Sequence, residues 1–62
     1  MDNRVYVAVV HLESDTGAKL SPLVTITAPA TLEIEMVKEH LIMLALKSHK
    51  EYGYIGFNWS HL

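Results

Sequence analysis

Residues 4–12 of this 62-residue chain read RVYVAVVHL, and this stretch decides the fold. Its β-branched and aromatic residues suit the pleated, half-buried surface of a strand. The polar residues ESDTG at 13–17 end the run, so the sequence predicts a strand over 4–12. Because the run is apolar on both of its alternating faces, we expect it to be the central strand of a sheet.

Two further segments have the composition of strands. Residues 23–28 (LVTITA) predict a second strand, joined to the first by a long loop that contains Asp15, Thr16 and Gly17. Residues 52–59 (YGYIGFNW) predict a third strand, which its two glycines weaken. The first two strands then form a hairpin.

The remaining long segment predicts a helix. Residues 30–49 contain neither glycine nor proline and are rich in Leu, Met, Glu, Lys and Ala, which favour helices. Thr27 and Thr31 are competing candidates for the N-cap, and Pro29 suits the first turn. The order strand, strand, helix, strand predicts a single α+β domain of ββαβ layout over residues 1–62.

The third strand has two possible neighbours. Beside the first strand it completes a three-stranded antiparallel sheet of order 2-1-3, with one helix packed on one face. Beside the second strand it would form a parallel pair instead. We favour the order 2-1-3 because it puts the most apolar strand in the middle.

One helix covers only one face of such a sheet, so the other face needs an explanation. We expect the helix to cover the face of Val5, Val7 and Val9, together with Ile55 and Phe57. At 3.6 residues per turn, the stripe of the helix that faces this core consists of Ile34, Val37, Leu41, Leu44, Ala45 and Ser48. The uncovered sheet face then consists of Tyr6, Ala8, Val10, Tyr52 and Tyr54.

The helix also carries a second apolar stripe, opposite the first. It consists of Leu32, Met36, Met43 and Leu46. A solvated helix back is normally charged, and methionine is common at adaptable interfaces. Two surplus apolar surfaces on so small a domain predict two contacts, one that forms a homodimer and one that binds another protein.

The composition bounds the class of protein. A chain this short buries only about 60% of its unfolded surface, so we expect self-association or a partner to support it. The absence of cysteine excludes disulfides and thiolate metal sites. No apolar run approaches the ~20 residues of a membrane span, and the first residues do not resemble a signal peptide. We therefore expect a cytoplasmic protein with no membrane association.

The sequence offers little support for catalysis. Residues 15–17 match the Asp-Thr-Gly signature of aspartic proteases, but polar residues precede them where that signature needs an apolar strand, so we interpret them as a turn. The histidines His11, His40, His49 and His61 lack the spacing of a metal site on a helix. No serine lies in a nucleophile elbow, and no glycine-rich loop opens the helix. We expect no enzyme activity, no metal and no cofactor.

Residues 50–57 (KEYGYIGF) resemble the ribonucleoprotein octapeptide of RNA-recognition motifs, and residues 5–7 (VYV) resemble that family's shorter first-strand motif. The resemblance implies that Tyr6, Tyr52 and Tyr54 stack on bases, with Lys50 nearby. Glu51 stands where the family has glycine, and the net charge of −2 favours little counterion release. Binding of single-stranded nucleic acid is therefore the alternative function.

The leading prediction is a small, non-enzymatic protein that binds another protein. Short, cysteine-free, mildly acidic chains with surplus apolar faces are typical of accessory modulators, including phage-type inhibitors of host protein complexes. The residues expected to form the partner or dimer contacts are Leu32, Met36, Met43, Leu46, Tyr6, Val10, Tyr52 and Tyr54.

Overall fold

The computed structural model describes residues 2–60 and shows one helix packed on one face of an antiparallel sheet, with the first strand in the middle. The predicted α+β class and strand arrangement are confirmed. Within the described residues, no helix has the length and apolar content needed to cross a membrane. The elements in chain order are β1 (Asn3–Ser14), β2 (Lys19–Leu20), β3 (Leu23–Pro29), α1 (Ile34–Ser48) and β4 (Tyr52–Trp59).

Strands β2 and β3 form one interrupted strand along one edge of β1. Leu12 pairs with Leu20 and Val9 pairs with Leu23, and the register does not shift between these pairs. The interruption falls at Pro22, which has no N–H to donate to β1. Its carbonyl still accepts a hydrogen bond from the backbone N–H of Val10, at 3.1 Å.

The loop between β1 and β2 is short, so the predicted long loop is wrong. Asp15, Thr16 and Gly17 close it, with the Ser14 N–H donating to the Ala18 carbonyl at 2.9 Å. Gly17 has a φ of +87°, the left-handed conformation that a three-residue hairpin loop needs at its last position. The strands therefore extend beyond the predicted ends at 12 and 23, because the hairpin continues to this tight turn.

Strand β4 pairs with the other edge of β1 and contains a bulge. His11 pairs with Gly56, whereas Leu12 pairs with Tyr54, so Ile55 has no partner on β1. One extra residue reverses the alternation of side chains between the two faces. The aromatic residues on both sides of the bulge therefore lie on the same face of the sheet.

Helix α1 begins later than the predicted start at residue 30. Glu33 occupies the N-cap position, in place of either predicted threonine. Ala30 is still part of the hairpin, because its N–H donates to the Asp2 carbonyl at 2.9 Å. The chain then turns, with the Leu32 N–H donating to the Pro29 carbonyl, before the helix begins.

Helix α1 covers the opposite sheet face from the one predicted. Val24 and Ile26 of β3, and Phe57 of β4, pack on the covered face, whereas the uncovered face includes threonines and an asparagine. The bulge explains the error, because it moves Phe57 to the side of Val10. The buried hydrophobic residues are Ala8, Val10, Leu12, Ala28, Val37, Leu41 and Ala45.

Candidate interaction surfaces

The sheet face without a helix, here called the open face, is apolar along β1. Val5 and Leu23 expose 59% and 64% of their surface, and the bulge residue Ile55 is also exposed. Glu13 and Lys19 pair with each other at one end, so the charges lie at the rim. Away from that end, the register places these residues on this face: Asn3, Val5, Val7, Val9, His11, Leu23, Thr25, Thr27, Pro29, Gly56 and Asn58.

A polar network crosses the open face. The Asn58 amide Nδ2 donates to His11 Nε2 at 2.9 Å, which leaves the proton of a neutral imidazole on Nδ1. His11 Nδ1 lies 2.8 Å from Ser21 Oγ and donates to it in this arrangement. The imidazole therefore links β1 to β4 and to the junction between β2 and β3. Both of its nitrogens are occupied, so it serves as a structural cross-link.

Within the part of the chain that the structure describes, β3 pairs with β1 alone, so its outer edge is unpaired. The bond from the Val10 N–H to the Pro22 carbonyl fixes which residues of the hairpin exchange hydrogen bonds. Antiparallel pairs alternate, so Leu23, Thr25 and Thr27 direct their N–H and C=O groups away from β1. The edge offers three donors and ends at a proline.

A groove of about 690 Å³ runs between this edge and helix α1. Its walls are mostly apolar, and its polar side chains include His40 and Lys47. Met43 is 64% exposed on the helix side of the groove. The apolar lining residues include Ile26, Ala28, Leu32, Met43 and Leu44.

The predicted tyrosine platform does not form. Tyr6 lies on the helix-covered face and contacts Trp59, with ring centroids 6.1 Å apart. Tyr52 packs on the same face near the other end of β1, where it pairs with Ser14. Eight residues of β1 separate these positions, or roughly 26 Å at the rise of a strand. The expectation of three tyrosines side by side on an open face is therefore wrong.

The other residues predicted to bind a partner also divide between surface and interior. Val10 is fully buried under the helix and cannot contact a partner. Leu32 and Leu46 are half-buried against the core, whereas Met36 and Met43 are exposed. Tyr54 is exposed beside the bulge. Lys50 is exposed in the turn before β4.

Three residues predicted to face the core, Ile34, Leu44 and Ser48, are exposed instead. Ile34 lies in the first turn of α1 and Leu44 faces the groove. Of the predicted stripe, only Val37, Leu41 and Ala45 are fully covered.

The described residues hold no cluster of three or more His, Asp or Glu side chains that suits a metal ion. His61 lies outside the described residues. Residues 15–17 form the hairpin loop, in line with their interpretation as a turn. A second depression, between this loop and the turn before β4, contains Asp15, Lys50 and Glu51, all of which are exposed. The charged side chains of this depression are therefore typical of a solvated surface.

Sequence reasoning missed the edge of β3 and the polar network. The predicted order 2-1-3 already makes residues 23–28 an edge strand, so the unpaired edge could have been predicted from the strand order. The network depends on the register of β4, which the bulge sets. A comparison with known protein families, curated proteins and solved structures found no match to this chain.

Proposed function

We propose that this chain is a protein-binding module that acts through its open face. The observation that supports the proposal is the exposed aliphatic surface of β1 and β3, which has no covering element within residues 2–60. Contiguous apolar surface of this kind marks interaction sites in soluble proteins. We also propose that the protein is cytoplasmic. Inhibition of a host protein complex, as by a phage-type inhibitor, stays a prediction.

The side chains of the open face favour a protein over a nucleic acid. Base-stacking surfaces need aromatic rings, and phosphate contacts need cations. Among the open-face residues named above, none is Phe, Tyr, Trp or Arg, and the single lysine, Lys19, pairs with Glu13. Valine and leucine side chains instead complement the apolar core of a protein interface, and the threonines and Asn58 provide hydrogen bonds around it.

The test compares two matched substitutions of exposed aliphatic residues. Val5→Lys places a charge on the open face, and Ile34→Lys places the same charge on the helix, where the native residue is similarly exposed. The immobilised chain and both variants are used to retain proteins from a lysate of the source cell. A retained protein is then purified and titrated by calorimetry.

We expect Val5→Lys to weaken binding at least about tenfold, because a buried unpaired charge costs more than 1.4 kcal/mol. Ile34→Lys should leave the affinity unchanged. Equal affinities for the native chain and Val5→Lys would contradict the proposed use of the open face.

A further inference from the structure

We propose that two copies of this chain pair through the outer edge of β3, antiparallel to each other, about a two-fold axis at Thr25. The proposal concerns the edge of the sheet and does not rest on the use of the open face. It joins the two sheets into one that is continuous across both copies. The open face stays free on one side of the enlarged sheet.

The outward backbone groups of β3 match those of a second copy. In a register centred on Thr25, Thr25 faces its counterpart, and Leu23 faces Thr27 of the other copy. Each such pair exchanges two hydrogen bonds, so three pairs supply six. Every outward N–H and C=O of these three residues then has a partner. Pro29 lies just beyond the ladder, where its missing N–H leaves nothing unpaired.

The flank of α1 beside the groove is also self-complementary in charge. Glu33 lies at its N-terminal end and Lys47 at its C-terminal end, and each is seven residues from His40. Val24 and Ile26, on either side of Thr25, pack against the core cluster that includes Val37 and Leu41 of α1, and Val24 also packs against the cluster that includes Ala45. A two-fold axis at Thr25 therefore passes near the middle of the helix. Because the axis reverses the direction of α1, Glu33 of one copy faces Lys47 of the other.

The spacing of the two helices fits the groove between them. Each helix lies over its own β1, and three strand spacings separate the two β1 strands, or about 14 Å. Packed helices have axes 8–10 Å apart, so these two helices are separated by about 4–6 Å more than that. Met43 and Leu44 are exposed in the groove and are long enough to close that gap.

The accessible surface of the monomer is larger than expected for a monomeric protein of its mass, which leaves area for such an interface. Its accessible surface is 4590 Å². A monomeric protein of its mass of 7.0 kDa is expected to expose roughly 4000 Å². Among residues 2–60, only four side chains larger than alanine are fully buried: Leu12, Leu41, Val10 and Val37. Covering the apolar groove of both copies would enlarge this small core.

The absence of cysteine allows a test by cross-linking. Thr25→Cys puts one thiol per copy at the axis, where paired Cα atoms lie about 5.5 Å apart, within the range of a disulfide. Thr27→Cys is the matched control on the same exposed edge. Residue 27 of one copy and residue 27 of the other lie four residues out of register, about 13 Å apart along the strand, which is too far for a disulfide.

We expect the native chain to sediment as a dimer at micromolar concentration. Under mild oxidation, Thr25→Cys should convert to a covalent dimer at least tenfold faster than Thr27→Cys. A monomeric native chain would overturn the proposal, as would equal cross-linking rates or faster cross-linking of Thr27→Cys. Neither measurement needs a binding partner, so failure here is distinct from failure of the proposed function.

A charge reversal tests the helix contacts separately. Glu33→Lys should raise the dimer dissociation constant several-fold, because it faces Lys47 of the other copy. Adding Lys47→Glu to the same chain should restore the native value. Additive weakening by the two substitutions would overturn the proposed arrangement of the helices.

Discussion

The imidazole of His11 lies against Gly56, its partner on β4. His11 Cδ2 is only 3.3 Å from the position that a Cβ on residue 56 would occupy. The ring cannot easily move away, because Ser21 and Asn58 hold both of its nitrogens. The absence of a side chain at residue 56 therefore makes room for the network that crosses the open face.

The first prediction concerns this contact. Gly56→Ala should destabilise the native chain by about 1 kcal/mol, because the new methyl group displaces a held ring. In the His11→Ala background, the same change should stabilise by about 0.5–1 kcal/mol, since alanine suits a strand better than glycine. Urea unfolding of the four chains at one fixed protein concentration measures the coupling. The same effect in both backgrounds would contradict the proposed contact.

The second prediction concerns the bulge. Deleting Ile55 should cost about 3 kcal/mol or more, because the restored alternation moves either Tyr52 or Phe57 off the covered face. Ile55→Thr keeps the extra residue and is the matched control, with an expected cost below about 1 kcal/mol. Chemical unfolding followed by circular dichroism compares them. A deletion as stable as the substitution would show that the bulge does not set the face of these aromatic residues.

The bulge also explains how far the sequence predicts this structure. The central strand, the helix and the antiparallel order follow from local composition and were confirmed. The choice of covered face depends on the combined apolar content of three strands in register, and one extra residue at Ile55 changes it. Glycine inside a strand-like run is a signal of a bulge, and Gly56 provides it. Reading it that way would have placed Phe57 with Val10.

The candidate surfaces were predictable to a similar extent. The exposure of Met43 follows from helical periodicity. The burial of Val10 and the separation of Tyr6 from Tyr52 could not be predicted without the register of β4. The unpaired edge at Thr25 follows from the strand order alone, whereas the direction of its N–H depends on which residues pair through hydrogen bonds.

The third prediction concerns the hairpin loop. Gly17→Ala should destabilise by about 1 kcal/mol, because a φ of +87° strains any residue with a Cβ. No atom lies within 4 Å of the added methyl group, so steric contact contributes nothing to this cost. Gly17→Asn should cost less, since asparagine tolerates the left-handed region. Thermal unfolding ranks the three chains, and an alanine variant as stable as the native chain would contradict the assigned conformation.

The fourth prediction tests which residues of α1 form the core. Leu41 of α1 is fully buried against Ala8 of β1. Ile34 lies on the same predicted stripe of the helix but is 52% exposed. Leu41→Ala should therefore cost about 2–5 kcal/mol through lost burial and the cavity that remains. Ile34→Ala removes a similar volume and should cost less than about 1 kcal/mol. Urea unfolding at fixed protein concentration compares the two, and equal losses would mean that α1 is rotated or extended relative to the structure described.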